Sequence, residues 1–157
     1  MTGTRPLGLA LAWFALIASL PSAQAADISI LGQWEIVEAI PAPWSRSAEQ
    51  AALVADGQRM LHTTVTFSPH AVESKFKPFS CKRHLSYEAN ALEVDALFQG
   101  NLPEPNPTAA AARLGFRKGD IPGVDVRCTR TMLTFHFRDP DTALISYDRV
   151  IFTLKRR

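Results

Sequence analysis

Residues 133–154 read LTFHFRDPDTALISYDRVIFTL, and this stretch decides the class of fold. Leu133, Phe135 and Phe137 alternate with Thr134, His136 and Arg138, the period of two that sends successive side chains to opposite faces of a strand. Asp139-Pro140-Asp141 is a tight turn, residues 143–147 and 150–154 are two further strands, and Asp148-Arg149 is the bend between them. Strands joined this closely form an antiparallel meander, and the alternation predicts one packed face and one wetted face. Just upstream, residues 124–129 add a strand that carries Cys128.

The same alternation recurs toward the N-terminus. In Gly32-Gln33-Trp34-Glu35-Ile36, Trp34 and Ile36 share one face and Gln33 and Glu35 the other, and Pro41 and Pro43 end the strand. Ser47 reads as an N-cap with Gln50 as its capping-box partner, opening a short helix over residues 48–55 that Asp56-Gly57 stops. Residues 60–67 and 71–74 flank the turn Ser68-Pro69-His70 and read as a hairpin. Residues 79–87 carry Cys81 in another strand, and 90–100 form a helical turn holding Leu92, Leu97 and Phe98. Pro103, Pro105 and Pro107 keep 101–107 extended. Thr108 caps a second helix that Gly115 stops, and Pro122-Gly123 marks a turn. The expected fold is mainly β with two short helices, a curved antiparallel sheet or small barrel, forming a single domain over residues 26–157.

The 157 residues are 46% hydrophobic and 20% charged, a balance that excludes collagen-like, coiled-coil and wholly disordered chains. Residues 1–25 have the form of a secretory leader: Arg5, an uncharged apolar run over 7–20, a break at Pro21, and Ala23-Gln24-Ala25 for the peptidase. The run falls short of the roughly 20 residues a spanning helix needs, so a periplasmic or secreted protein without a membrane span is expected. Without Arg5 the formal charge of +2 falls to +1, which offers nucleic acid and anionic membranes no electrostatic footprint.

Cys81 and Cys128 are the only cysteines. An even count in an exported chain predicts a disulfide, closing a loop of about 48 residues and worth roughly 4 kcal/mol. The alternatives are a reactive thiol or a metal site built on Cys81-x-x-His84 with Cys128 and His136. Zinc sites usually show two close-spaced pairs and this chain has one, so no metal and no cofactor is expected.

Gly32-x-Trp34 on the first strand, with a basic residue on the last, resembles the lipocalin and calycin barrels. That resemblance implies a lipocalin-like barrel in which Trp34 closes one end and Arg149 or Arg156 packs across its ring. More broadly, GQWEIVEAIPAPW, LFQG, FHF and the closing YDRVIFTLKR are similar to small secreted proteobacterial proteins. This implies export and a lipocalin-like shape, and carries over no catalytic residue.

His62, His70, His84 and His136 are the available general bases, three of them on polar faces or ends of strands, where a solvated side chain is the default. The chain contains no G-x-S-x-G, H-E-x-x-H, phosphate-binding loop or G-x-G-x-x-G, and no catalytic residue is assigned. A histidine-dependent hydrolase or isomerase would need a concave pocket with His136 or His84 beside a carboxylate. Trp44, between prolines and a polar loop, either staples that loop to the sheet or lines a cavity mouth or partner site. Phe76 and Phe79, flanked by Lys75, Lys77, Lys82 and Arg83, either meet an acidic partner or pack their own loop. The expected function is an exported, non-catalytic binding module for a small apolar molecule or an envelope component, with Trp44, Phe76, Phe79, Lys82 and Arg83 as contact residues. The alternative is an inhibitor or immunity protein against a cell-envelope hydrolase.

Overall fold

Eight strands, each antiparallel to its neighbours, form one sheet in the order β3-β2-β1-β8-β7-β6-β5-β4. They are β1 (Gly32–Pro41), β2 (Thr64–Phe67), β3 (Val72–Ser74), β4 (Ser86–Leu92), β5 (Ile121–Arg127), β6 (Met132–Asp139), β7 (Thr142–Tyr147) and β8 (Val150–Arg156). Two short helices are inserted, α1 (Gln50–Gln58) and α2 (Pro107–Arg113). The computed structural model describes residues 28–103 and 105–157; the leader expected over 1–25 lies outside the described residues.

The sheet curls into a half-barrel and does not close, because β3 and β4 at its two ends are not paired. Among the described residues, main-chain, disulfide and side-chain contacts span the gap. Cys81 takes a β-bridge to Val72 and a disulfide to Cys128, with the two Cα atoms 5.9 Å apart. The Tyr87 hydroxyl on β4 donates to the Ser68 carbonyl beside β2, at 2.8 Å.

The concave side is packed with rings. Phe135 meets Phe67 at 5.2 Å and Phe79 at 6.2 Å between centroids, and Phe79 meets Phe152 at 5.9 Å. Trp34 closes one end. Its indole N–H donates to the Ile30 carbonyl, and the Arg156 guanidinium lies 4.4 Å above its ring, so Arg156 rather than Arg149 fills the place the barrel resemblance assigns. Gly32 makes this approach possible: it sits at φ +118°, and a Cβ there would stand 3.2 Å from Arg156 Nη1.

α1 covers the opposite end, and Gly57 sets how closely it lies. A Cβ on Gly57 would stand 2.8 Å from the Ala39 Cβ and 3.4 Å from Val150 Cγ1. Gly57→Ala improves helix propensity by about 1 kcal/mol, yet the clash forces the helix off the sheet at about 1–3 kcal/mol. A net loss of stability in chemical denaturation is the expected outcome, and a gain would show that α1 has room to shift.

The meander, the two helices and the disulfide are as expected; several local readings are corrected. The convex face of the central strands is not wetted. Leu144 on β7 and Ile151 on β8 are buried there beneath Leu97, Phe98, Ala111 and Phe116 of the segment between β4 and β5. The unbroken apolar run Val150-Ile151-Phe152 is what a strand buried on both faces requires. Arg46, not Ser47, precedes the 3-10 turn Ser47–Glu49 that leads into α1, and α1 runs through Asp56-Gly57. The cap of α2 is Asn106, whose side chain accepts from the Ala109 N–H at 2.9 Å with Pro107 opening the helix. The strand expected over 79–87 is displaced downstream to Ser86–Leu92, leaving Phe79 in a 3-10 turn. Pro122-Gly123 lies inside β5. Pairing to β6 begins only at Gly123, so the missing Pro122 N–H breaks no ladder on that side.

Candidate functional site: a cleft on the convex face

Asn90, Gly123 and His136 form one cross-strand row over β4, β5 and β6. Gly123 and His136 adjoin the concave-core residues Val124, Phe135 and Phe137, so the period of two turns them outward, and Asn90 shares their face through its pairing with Gly123. Alternation alone predicts a wet His136, but it is 2% exposed, because the Val94–Gly100 segment folds over it. The Phe98 ring meets the imidazole edge-on at 4.8 Å, and the Phe98 N–H donates to Nε2 at 3.2 Å. With Nε2 accepting, the proton of the neutral ring sits on Nδ1. Burial pushes the His136 pKa down to about 4, against an opposing pull from the Asp125 charge. His136 is therefore a neutral hydrogen-bond donor near neutral pH.

Three buried side-chain polar atoms among the described residues lack a protein partner, and two of them, His136 Nδ1 and Asn90 Oδ1, belong to this row. Each such atom costs about 1–3 kcal/mol. Gly123 separates the two side chains, and Asn90 leans into the space its missing side chain leaves: a Cβ on Gly123 would stand 2.2 Å from Asn90 Oδ1.

Above this row is an open-mouthed cleft of about 530 Å³. One wall is aromatic, with Trp44 against Phe98 at 5.7 Å. The floor and rim carry Asn90, Gln99, Asp125, Thr134, Ser146 and Asp148. Asp125 accepts from the Thr134 hydroxyl at 2.7 Å. Arg149 reaches the rim, but its guanidinium is committed to Glu49 at 2.5 Å, a hydrogen bond that holds the Glu49 carboxyl below its usual range.

Backbone strain is concentrated in the same place. Six non-glycine residues among those described have positive φ, and four of them line this cleft: Phe98 (51°), Gln99 (61°), Asp148 (48°) and Arg149 (62°). The last pair forms the two-residue turn between β7 and β8, where Asn-Gly is the usual occupant. Left-handed backbone costs an L-residue about 1–2 kcal/mol, and such residues cluster at ligand clamps and active sites.

Of the residues the sequence singled out, Trp44 lies in this cleft and also staples its loop to Phe98. Phe79 is 1% exposed and Phe76 packs on Phe79, Tyr147 and Phe152, so both belong to the concave core rather than to a contact surface. Lys82 and Arg83 are exposed beside the disulfide and do not line the cleft. Gly32 and Trp34 lie at the closed end, remote in sequence register from the cleft strands. His70 and His84 are exposed, and the exposed His62 hydrogen-bonds Glu35. No group of side chains suited to a metal ion occurs among the described residues. The cleft residues Asn90, Gln99 and Asp148 escaped sequence reading. A polar residue facing outward on a strand looks the same whether water or another segment of chain covers it.

Compared with models of protein families, with curated proteins and with solved structures, the chain matches none.

Proposed function

We propose that this protein is an exported binding module, and that its ligand site is the convex cleft lined by Asn90, Phe98 and His136. The observation that carries the reading is the coincidence, in one cleft, of two buried polar atoms without a protein partner and the left-handed pair Phe98-Gln99, which no hairpin turn requires. Sites that hold ligands tolerate both kinds of cost because the bound state repays them. The concave side is filled by its own phenylalanines, which counts against the small apolar ligand expected inside the sheet; the convex cleft is a separate site on its outer face. Export is supported by the disulfide, which an oxidising compartment maintains, and by the leader pattern of residues 1–25.

A catalytic role for His136 is not favoured. A base with a pKa of about 4 is weak, and its Nε2 is already occupied by the Phe98 N–H. Native mass spectrometry of protein purified from periplasm tests the binding reading. The expected result is an excess mass of one small molecule that disappears in Thr131→Arg, which places a long side chain at the exposed cleft margin. A bare native mass for the unsubstituted chain favours the second reading, an inhibitor of an envelope hydrolase. That reading rests on Lys75, Lys77, Lys82 and Arg83, four exposed cations that make no ion pair among the described residues.

A further inference from the structure

The open half-barrel has two edges, and only one of them is protected. β3 is 3 residues long, is followed by Lys75, and takes the Cys81 bridge along its outer side at Val72. β4 is 7 residues long, pairs with β5 without a register shift, and contains no proline, lysine or arginine. Among the described residues, no main-chain group of β4 is bonded on the side away from β5. Tyr87 reaches across the gap from the concave face of β4, not from its edge, and Ser86, Glu88, Ala89 and Ala91 are exposed. A long, regular edge with a single charge holds a row of N–H and C=O groups at sheet spacing, ready for another strand.

The charges that flank β4 select which strand that is. Lys82 and Arg83 lie just before it and Glu93 and Asp95 just after; all are exposed, and none makes an ion pair among the described residues. A second β4 running antiparallel brings the basic end of each copy against the acidic end of the other, whereas a parallel one sets like charges together. The register that pairs all 7 residues is centred on Ala89. It sets Ala89 opposite Ala89, Tyr87 opposite Ala91 and Ser86 opposite Leu92, and it places the Glu88 carboxylate opposite the Asn90 amide, so no like charges meet. We propose that this chain forms a dimer through β4, joining two half-barrels in one continuous sheet with Ala89 on the two-fold axis. A self-complementary contact of this kind closes at two copies. Glu88 shares the convex face with Asn90, so Glu88 of the second copy stands beside Asn90 at the margin of the cleft.

Sedimentation equilibrium of the oxidised chain tests this. One strand pair makes a small interface, so the expected dissociation constant is about 1–100 μM, and the average mass rises from one copy toward two across that range. Ala89→Glu and Ala89→Lys each set like charges face to face on the axis and are expected to weaken the dimer about fivefold or more. Mixed in equal amounts, the two variants pair with each other and recover the affinity of the unsubstituted chain, a result that also shows both to be folded. Because the flanking charges attract in the antiparallel arrangement, raising the salt about tenfold weakens the unsubstituted dimer. A single-copy mass at every concentration, assembly beyond two copies, a dimer as tight in both variants, or a mixture no tighter than its components overturns the proposal. So does a dimer that salt strengthens or leaves unchanged.

Discussion

Removing the disulfide by Cys81→Ala with Cys128→Ala lowers the stability of the fold by about 4 kcal/mol. The bridge joins positions 47 residues apart, and the loop it closes contains β4, the Val94–Gly100 segment, α2 and β5. In the unfolded chain it confines that whole stretch, which is the main source of its effect in the chain-entropy account. In the folded chain it holds Cys81, bridged to β3, against the end of β5, across the gap where the half-barrel stays open. Against a net stability of roughly 5–15 kcal/mol, a loss of this size shifts the urea midpoint by roughly 2 M. Reduction of the unsubstituted protein with dithiothreitol should reproduce the shift. An unchanged midpoint in both experiments would mean that the packed rings hold the two edges unaided.

The second large effect is a dependence of stability on pH that belongs to His136. Its pKa in the fold is about 4, against 6.5 for an unburied histidine, so between those values the unfolded chain binds a proton that the folded chain excludes. Stability therefore falls as pH drops from 6.5 to 4, by roughly 3 kcal/mol in total, and is level above that window. The carboxylates of Glu35 and Glu49 are held below their usual range, chiefly by hydrogen bonds from His62 and from Arg149. Their contribution is lost below about pH 4.5, so the part of the window between pH 6.5 and 4.5 belongs to His136. His136→Gln keeps an acceptor for the Phe98 N–H and removes the titration, and the slope between pH 6.5 and 4.5 should vanish with it. A slope that persists in His136→Gln would place its origin elsewhere in the chain.

Much of the architecture is legible without coordinates. The alternation of Leu133, Phe135 and Phe137 with Thr134, His136 and Arg138 marks β6, and the short links at Asp139-Pro140-Asp141 and Asp148-Arg149 set β6, β7 and β8 side by side. Both helices lie close to where their alanine-rich stretches place them, although their caps do not. The candidate site was far less legible. Trp44 was singled out for being a tryptophan in an irregular segment, and it lies in the cleft. His136 was read as a solvated residue, and Pro122-Gly123 as a turn. A strand's own pattern carries no information about the segment that covers it, which hid His136; Pro122-Gly123 fits inside β5 because pairing to β6 begins only at Gly123.

Sequence by itself determined the strand periodicity, the antiparallel meander, the pairing of two lone cysteines and the core role of Phe135 and Phe137. These depend on side-chain alternation and on turns of a few residues, which are local properties of the backbone. Tertiary structure alone decided that the sheet remains a half-barrel, that its concave side is filled by Phe76 and Phe79, and that His136 is buried and neutral. The Phe98 N–H meets His136 across 38 residues of chain, and Arg149 meets Glu49 across 100. The first forms only when the segment between β4 and β5 packs down on the sheet, the second only when the turn before α1 meets the β7–β8 bend. Burial, strain and the cleft itself arise at that step, from the joint packing of residues that no local pattern connects.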